Sequence, residues 1–303
     1  MRTRRITQVL GVLAINPYFV YLSSRLTYQG GLKGVCVPAL NCYACPLAVF
    51  SCPIGSLQHS FTLMSPRIKG SLSQAFASLF YVLGSVGLVG AVVGRMPCGW
   101  ICPFGFLQEL LYKIPTPKLR LPSWARWGRY AFLAGLVALV PFLTATSWFS
   151  RLCPAGALEG GIPLKLVPPT TPLPPSGWFF WMKMVILAVF LIWFVFSRRP
   201  FCRTVCPLGA ILGICNRFSL YRMAVDDSSC TSCGLCREVC PVDIDVRDDP
   251  NSPDCVRCLQ CKKACPNGAV TSGFKSQGEA YRAVKRMPAV SSAKFRRKSC
   301  SLR

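Results

Sequence analysis

Four long apolar stretches alternate with four copies of the tetrapeptide C-P-x-G, and that alternation limits what this chain can fold into. The copies are CPIG at 52–55, CPFG at 102–105, CPAG at 153–156 and CPLG at 206–209, spaced 50, 51 and 53 residues apart. The likeness runs past the glycine: CPIGSLQ, CPFGFLQ, CPAGALE and CPLGAIL share an aliphatic residue five positions after the cysteine. Similar units at one period are the signature of an internal repeat. Each unit reads as a membrane-length helix, a turn that presents a cysteine, and a short re-entrant or interfacial helix. Proline after the cysteine suits the first helical turn, where its missing N–H is not needed. The cysteine then sits at a helix N-terminus, whose partial positive charge favours a thiolate.

The apolar stretches are 6–22, 72–94, 128–146 and 178–197. Crossing hydrocarbon takes about 17–25 helical residues, so the expected fold class is an α-helical membrane bundle of four transmembrane helices. Stretch 6–22 is the shortest and carries Asn16-Pro17. No small-residue cleavage site follows it, so it reads as an anchor and not a signal peptide. Loops 23–71 and 147–177 hold Arg25, Lys33, Arg67, Lys69, Arg151 and Lys165; apart from Lys183, every other Lys and Arg lies in 1–5, 95–129 or 198–303. The positive-inside rule therefore places the N-terminus and the C-terminal region in the cytoplasm, with the bundle in a prokaryotic inner membrane.

Nineteen cysteines stand beside a single histidine, His59. Disulfide-dense chains are usually short and secreted. This one is 303 residues long with mean hydropathy +0.40, so its cysteines read as metal ligands. One histidine excludes a haem held by two histidines within the chain, and no C-x-x-C-H motif occurs; no haem is expected. Copies two and four, in CGWICPFG and CRTVCPLG, bring Cys98, Cys102, Cys202 and Cys206 to the inner face. Copies one and three bring Cys52 and Cys153 to the outer face, joined by Cys42 and Cys45 of NCYACPLAVFSCPIG, with Cys36 spare. Four thiolates complete a 4Fe–4S site, so one cluster is expected at each face. Two alternatives stay open: disulfides among the outer cysteines, and zinc or Cu(I) on the inner four.

Residues 230–241 read CTSCGLCREVCP and residues 255–266 read CVRCLQCKKACP. Both match the two-cluster bacterial ferredoxin run, in which the fourth cysteine of each run ligates the other cluster. Cys230, Cys233, Cys236 and Cys265 should hold one 4Fe–4S cluster, and Cys255, Cys258, Cys261 and Cys240 a second. The expected domains are a membrane domain over 1–222, a small α+β ferredoxin domain over 223–273, and a basic tail over 274–303 that contains Cys300. The net charge of +24 lacks an aromatic-basic recognition module, so no nucleic acid is expected; the tail suits anionic lipid or an acidic partner. His59 and Glu109 each lie seven residues after a repeat cysteine and read first as helix residues facing headgroups, second as proton acceptors for a quinone. Cys215 reads as a buried small hydrophobe.

CGWICP, CRTVCPLG and the two ferredoxin runs together resemble the NapH/MauN-type membrane-bound polyferredoxins, related to the C-terminal part of NosR and to CcoG-type accessory proteins. The resemblance covers roughly residues 70–270. It implies a four-helix membrane electron carrier with cytoplasmic clusters, assigned in that family to quinol oxidation or to supplying electrons across the membrane. The outer set, NCYACPLAVFSCP with RLCPAG, departs from the plainest pattern and points to a full transmembrane relay. The expected function is passage of single electrons between a quinone pool or outer-face partner and cytoplasmic carriers. The alternatives are an accessory reductase that supports maturation of another metalloenzyme, and a metal-binding scaffold without redox work. Membrane lipid and other redox proteins or quinone are the expected partners.

Overall fold

The computed structural model describes residues 2–68, 70–170 and 177–274; the basic tail with Cys300 lies outside the described residues. Three helices are long and apolar enough to cross a membrane: Leu72–Val93, Ser123–Thr144 and Trp178–Phe196. They leave Phe80, Leu88, Trp181, Val185 and Ile192 exposed, as expected of helices whose outer surface meets lipid. The middle one carries a π-helical stretch, Phe132–Leu139.

Stretch 6–22 differs from expectation. Its main helix is Arg2–Ile15, 14 residues, or about 21 Å, against a hydrocarbon core of about 30 Å, with a separate short turn of helix at Tyr21–Ser24. Pro17 is the cause: it disfavours helical backbone at Asn16 and supplies no N–H of its own. The described bundle thus has three membrane-length helices and one short one, where the sequence pattern predicts four spans.

Every C-P-x-G stretch opens a helix in the same way. Cys52, Cys102, Cys153 and Cys206 are each the extended residue before a helix whose first position is proline: Pro53–Leu63, Pro103–Leu111, Pro154–Gly156 and Pro207–Cys215. The third continues through a π turn at Ala157–Gly161 into Ile162–Leu166.

In the loop before Cys52, Ala39, Leu40, Asn41, Ala48 and Val49 are all buried, so the loop packs into the bundle. The short N-terminal helix runs beside it. At one end Arg4 Nε and Gln8 Nε2 donate to Gly99 O at 3.0 and 3.1 Å. Just past the other end Tyr18 N donates to Leu47 O at 3.2 Å.

The ferredoxin domain closes with an antiparallel pair, Tyr221–Val225 against Val270–Phe274, with Tyr221 opposite Phe274. It docks on the bundle through buried polar groups. Asn216 Nδ2 donates to Ser252 O and Cys255 O at 2.9 and 2.7 Å. Trp100 Nε1 donates to Arg257 O at 3.0 Å. Asp254 receives Arg129 at 2.5 Å and faces Arg95 at 3.7 Å. Gly99 lies under Val256 O, where a Cβ would collide. One apolar core therefore runs from Phe104, Phe194 and Phe201 in the bundle to Val242 and Val256 in the ferredoxin domain.

Cys215 is buried as expected, with its sulfur 2.6 Å from where a Cβ on Gly90 would stand. Gly90→Ala should overpack this crossing at a cost of about 1–3 kcal/mol. It should lower the melting temperature in detergent, and adding Cys215→Ala should recover part of the loss.

Candidate metal centres

The structure brings the sequence-expected cysteines together in four sets. In the inner set, Cys98, Cys102 and Cys202 all lie close enough to oppose ionisation of Cys206. Gly105 N donates to Cys102 Sγ and Gly209 N to Cys206 Sγ, each at 3.4 Å. These are the first-turn amides of the helices that the two cysteines open. Gln108 Nε2, from the helix of copy two, reaches across to Cys202 Sγ of copy four at 3.0 Å.

In the outer set, Cys42 and Cys52 both oppose ionisation of Cys153, and Cys42 opposes that of Cys45. Glu159, six residues after Cys153 as Gln108 is after Cys102, accepts from Cys42 N at 2.7 Å. Copies one and three thus meet as copies two and four do. A cavity of about 600 Å³ is lined by Cys42, Cys52, Cys153, His59, Ser150 and Lys183 among others. Cys36 stands apart from this cavity, with its thiol 3.6 Å from Ser56 Oγ.

In the ferredoxin domain, Cys230, Cys233, Cys236 and Cys265 line one cavity of about 70 Å³. Cys240, Cys255, Cys258 and Cys261 line another of about 10 Å³. The fourth cysteine of each run stands with the first three of the other.

Helix N-termini were expected to favour thiolates, but burial wins. It pushes Cys45 and Cys52 up to about 11 and Cys153, Cys255 and Cys261 up to about 12, against the N–H groups that pull them down. These thiols ionise when a metal takes the proton's place. Cys265, slightly buried and facing the amides of Val270, Ala269, Asn267 and Gly268, is instead held below its ordinary value.

The inner and outer sets come near one another at Leu40 and Asn41, whose backbone N–H groups face Cys102 and Cys52 respectively.

All described cysteines are free thiols, and among the described residues no three His, Cys, Asp or Glu side chains come together tightly enough to hold a metal ion.

Glu109 does not face headgroups. Arg199 Nη2 stands 2.7 Å from its carboxylate, and Arg4 pairs with it more closely still. His59 is exposed at the edge of the outer cavity. The sequence reading missed Arg95, Arg199, Gln108, Leu40, Asn41, Glu159 and Lys183. One signal was available: arginine stands three residues before the first cysteine in both RMPCGWICP and RPFCRTVCP.

Comparison with known proteins fits this arrangement. A "4Fe-4S binding domain" family model matches residues 74–122 and 178–222, the two segments that carry the inner cysteines, and a second "4Fe-4S binding domain" model matches 223–244. The methylamine utilization ferredoxin-type protein MauN of Methylorubrum extorquens is 32% identical, over 62% of this chain and 59% of its own length. The regulatory protein NosR of Stutzerimonas stutzeri is 32% identical, over 63% of this chain and 26% of its own. These matches support a membrane-associated polyferredoxin family of the MauN and NosR type. The putative electron transport protein YccM of Escherichia coli is 25% identical, over 71% of this chain and 60% of its own. The chain thus spans about three-fifths of MauN and YccM and about a quarter of NosR. No solved structure matches it.

Glu109 gives a test of the local electrostatics. Burial pulls its carboxyl up, but Arg199 and Arg4 pull it down further, so its value lies below the ordinary one. Its stabilising contribution is complete above the ordinary carboxylate value of about 4.3. It is lost as the pH falls through its own lower value. Glu109→Gln leaves two buried guanidiniums short of a counter-charge and should cost about 3–5 kcal/mol. Thermal unfolding near neutral pH should show the loss, and the gap to wild type should narrow in acid.

Proposed function

We propose that the chain is an integral membrane iron–sulfur protein that passes single electrons along four 4Fe–4S clusters. Cys230, Cys233, Cys236 and Cys265 hold the first, and Cys240, Cys255, Cys258 and Cys261 the second. Cys98, Cys102, Cys202 and Cys206 hold the third, and Cys42, Cys45, Cys52 and Cys153 the fourth. The clusters supply one-electron carriers; the protein's residues fix their order and surroundings.

The contacts that lead from one cysteine set to the next support this reading. The two ferredoxin sets share the run geometry. Arg199 touches the fields of both Cys258 and the inner pair Cys102 and Cys202. Leu40 and Asn41 join the inner set to the outer one. In this reading the ferredoxin domain and N-terminus are cytoplasmic in a prokaryotic inner membrane, and the short N-terminal helix is the fourth element of the bundle. Electrons pass between cytoplasmic carriers and a quinone pool or outer-face partner, consistent with the electron-transport description of YccM.

The accessory-reductase reading is favoured by one feature. The outer cavity is far larger than either ferredoxin cavity, with room for a metal or disulfide substrate beside the outer set. Bleaching of the clusters by quinol favours the electron-carrier reading over this one.

Anaerobically purified protein should contain about sixteen irons and as many acid-labile sulfides per chain, four for each cluster. The double substitution Cys102→Ser, Cys206→Ser should remove about four, and Cys52→Ser, Cys153→Ser another four. About eight irons in the wild type would confine clusters to the ferredoxin domain and defeat the proposal.

A further inference from the structure

Two arginines tie the halves of the inner site together reciprocally. Arg95, three residues before Cys98, donates from Nη2 to Cys202 O. Arg199, three residues before Cys202, donates from Nη1 to Cys98 O at 2.7 Å. The glycine of each C-P-x-G makes room for the other half's arginine: a Cβ on Gly209 would stand 2.5 Å from Arg95 Nη2, and one on Gly105 3.3 Å from Arg199 Nη1. Both side chains are buried, and the Nε of each has no hydrogen-bond partner. Their acids are shared. Glu109 also pairs with Arg4, and Asp254 with Arg129, so positive charge is left over beside the four sulfurs.

The outer site is built otherwise. The space over Gly156 is taken by Lys183 Nζ, 3.0 Å from where a Cβ would stand, while Gly55 faces no cation. Glu159 brings a carboxyl into the same site. The inner set thus has two buried arginines bridging its halves, with Glu109 and Asp254 beside them, whereas the outer set has Lys183 and Lys33 near its cysteines and the carboxyl of Glu159.

We propose that Arg95 and Arg199 are positioning residues for the inner cluster: each closes the site across the repeat, and together their charges make the inner cluster easier to reduce. Reduction adds one electron and one negative charge to the site and forms or breaks no protein bond. The electron comes from a neighbouring cluster or, in the test, from dithionite. The extra negative charge is stabilised more where buried cations outnumber acids. This inference rests on the four-cluster reading above.

The test is a dithionite titration followed by electron paramagnetic resonance, with iron analysis, on full-length detergent-solubilised protein. The inner signal is identified as the one lost in Cys102→Ser, Cys206→Ser. Arg95→Gln and Arg199→Gln with full iron should each disfavour reduction of the inner cluster at least tenfold, 59 mV for one electron. Arg95→Lys and Arg199→Lys should restore most of the shift. Glutamine variants with full iron and no shift overturn the proposal. If the glutamine variants lose four irons, the lysine variants decide. Retained iron with a near-wild-type potential supports the charge role, and loss of iron there too overturns it. About eight irons in the wild type would instead defeat the four-cluster reading itself.

Discussion

A surplus of buried positive charge governs the centre of this molecule. Arg95, Arg129, Arg199 and Arg257 are all nearly inaccessible, and the acids that face them are Asp254 and Glu109. An uncompensated ion in a low-dielectric interior is costly unless something of opposite sign answers it. The groups placed to do so are the cysteine sulfurs, neutral as buried thiols and negative once a metal binds. Cations and cysteines therefore belong to one design. The arginines make sense only with anionic sulfur beside them, and the sulfurs ionise in so apolar a place only with a metal and nearby cations.

The same economy fixes the ferredoxin domain to the bundle. Asp254 immediately precedes Cys255, so the residue that neutralises Arg129 and Arg95 also locates a cysteine set. Asn216 holds Cys255 O from the bundle side, and Trp100, between the inner cysteines, holds Arg257 O. A two-stranded domain of this size has little core of its own. Its position relative to the inner site comes from these directed polar contacts more than from apolar area.

Much of this was legible from residue order. The pairing of copy two with four and one with three follows from alternating direction, and the crossed fourth cysteines follow from the ferredoxin run. Other features were hidden for physical reasons. Leu40 and Asn41 lie in a loop with no helical or strand period, so nothing local marks its burial, which is a tertiary fact. Thiol ionisation was misjudged because a helix terminus is visible in sequence and desolvation is not. The length of the first helix turned on Pro17, which was visible but set against an apolar run that continued past it. The reciprocal arginines leave a trace in the spacing R-x-x-C, yet a trace of two has meaning only once the two halves are seen to face each other.

In the proposed four-cluster arrangement each membrane set draws ligands from both halves of the chain, so a cluster there is also a cross-link. A cluster on Cys98, Cys102, Cys202 and Cys206 joins segments about a hundred residues apart, and the outer set joins the loop before Cys52 to the segment before the last span. Without iron those segments are held by side-chain packing and a few hydrogen bonds around unionised thiols. In that arrangement, cofactor insertion is the step that locks the two halves of the bundle together.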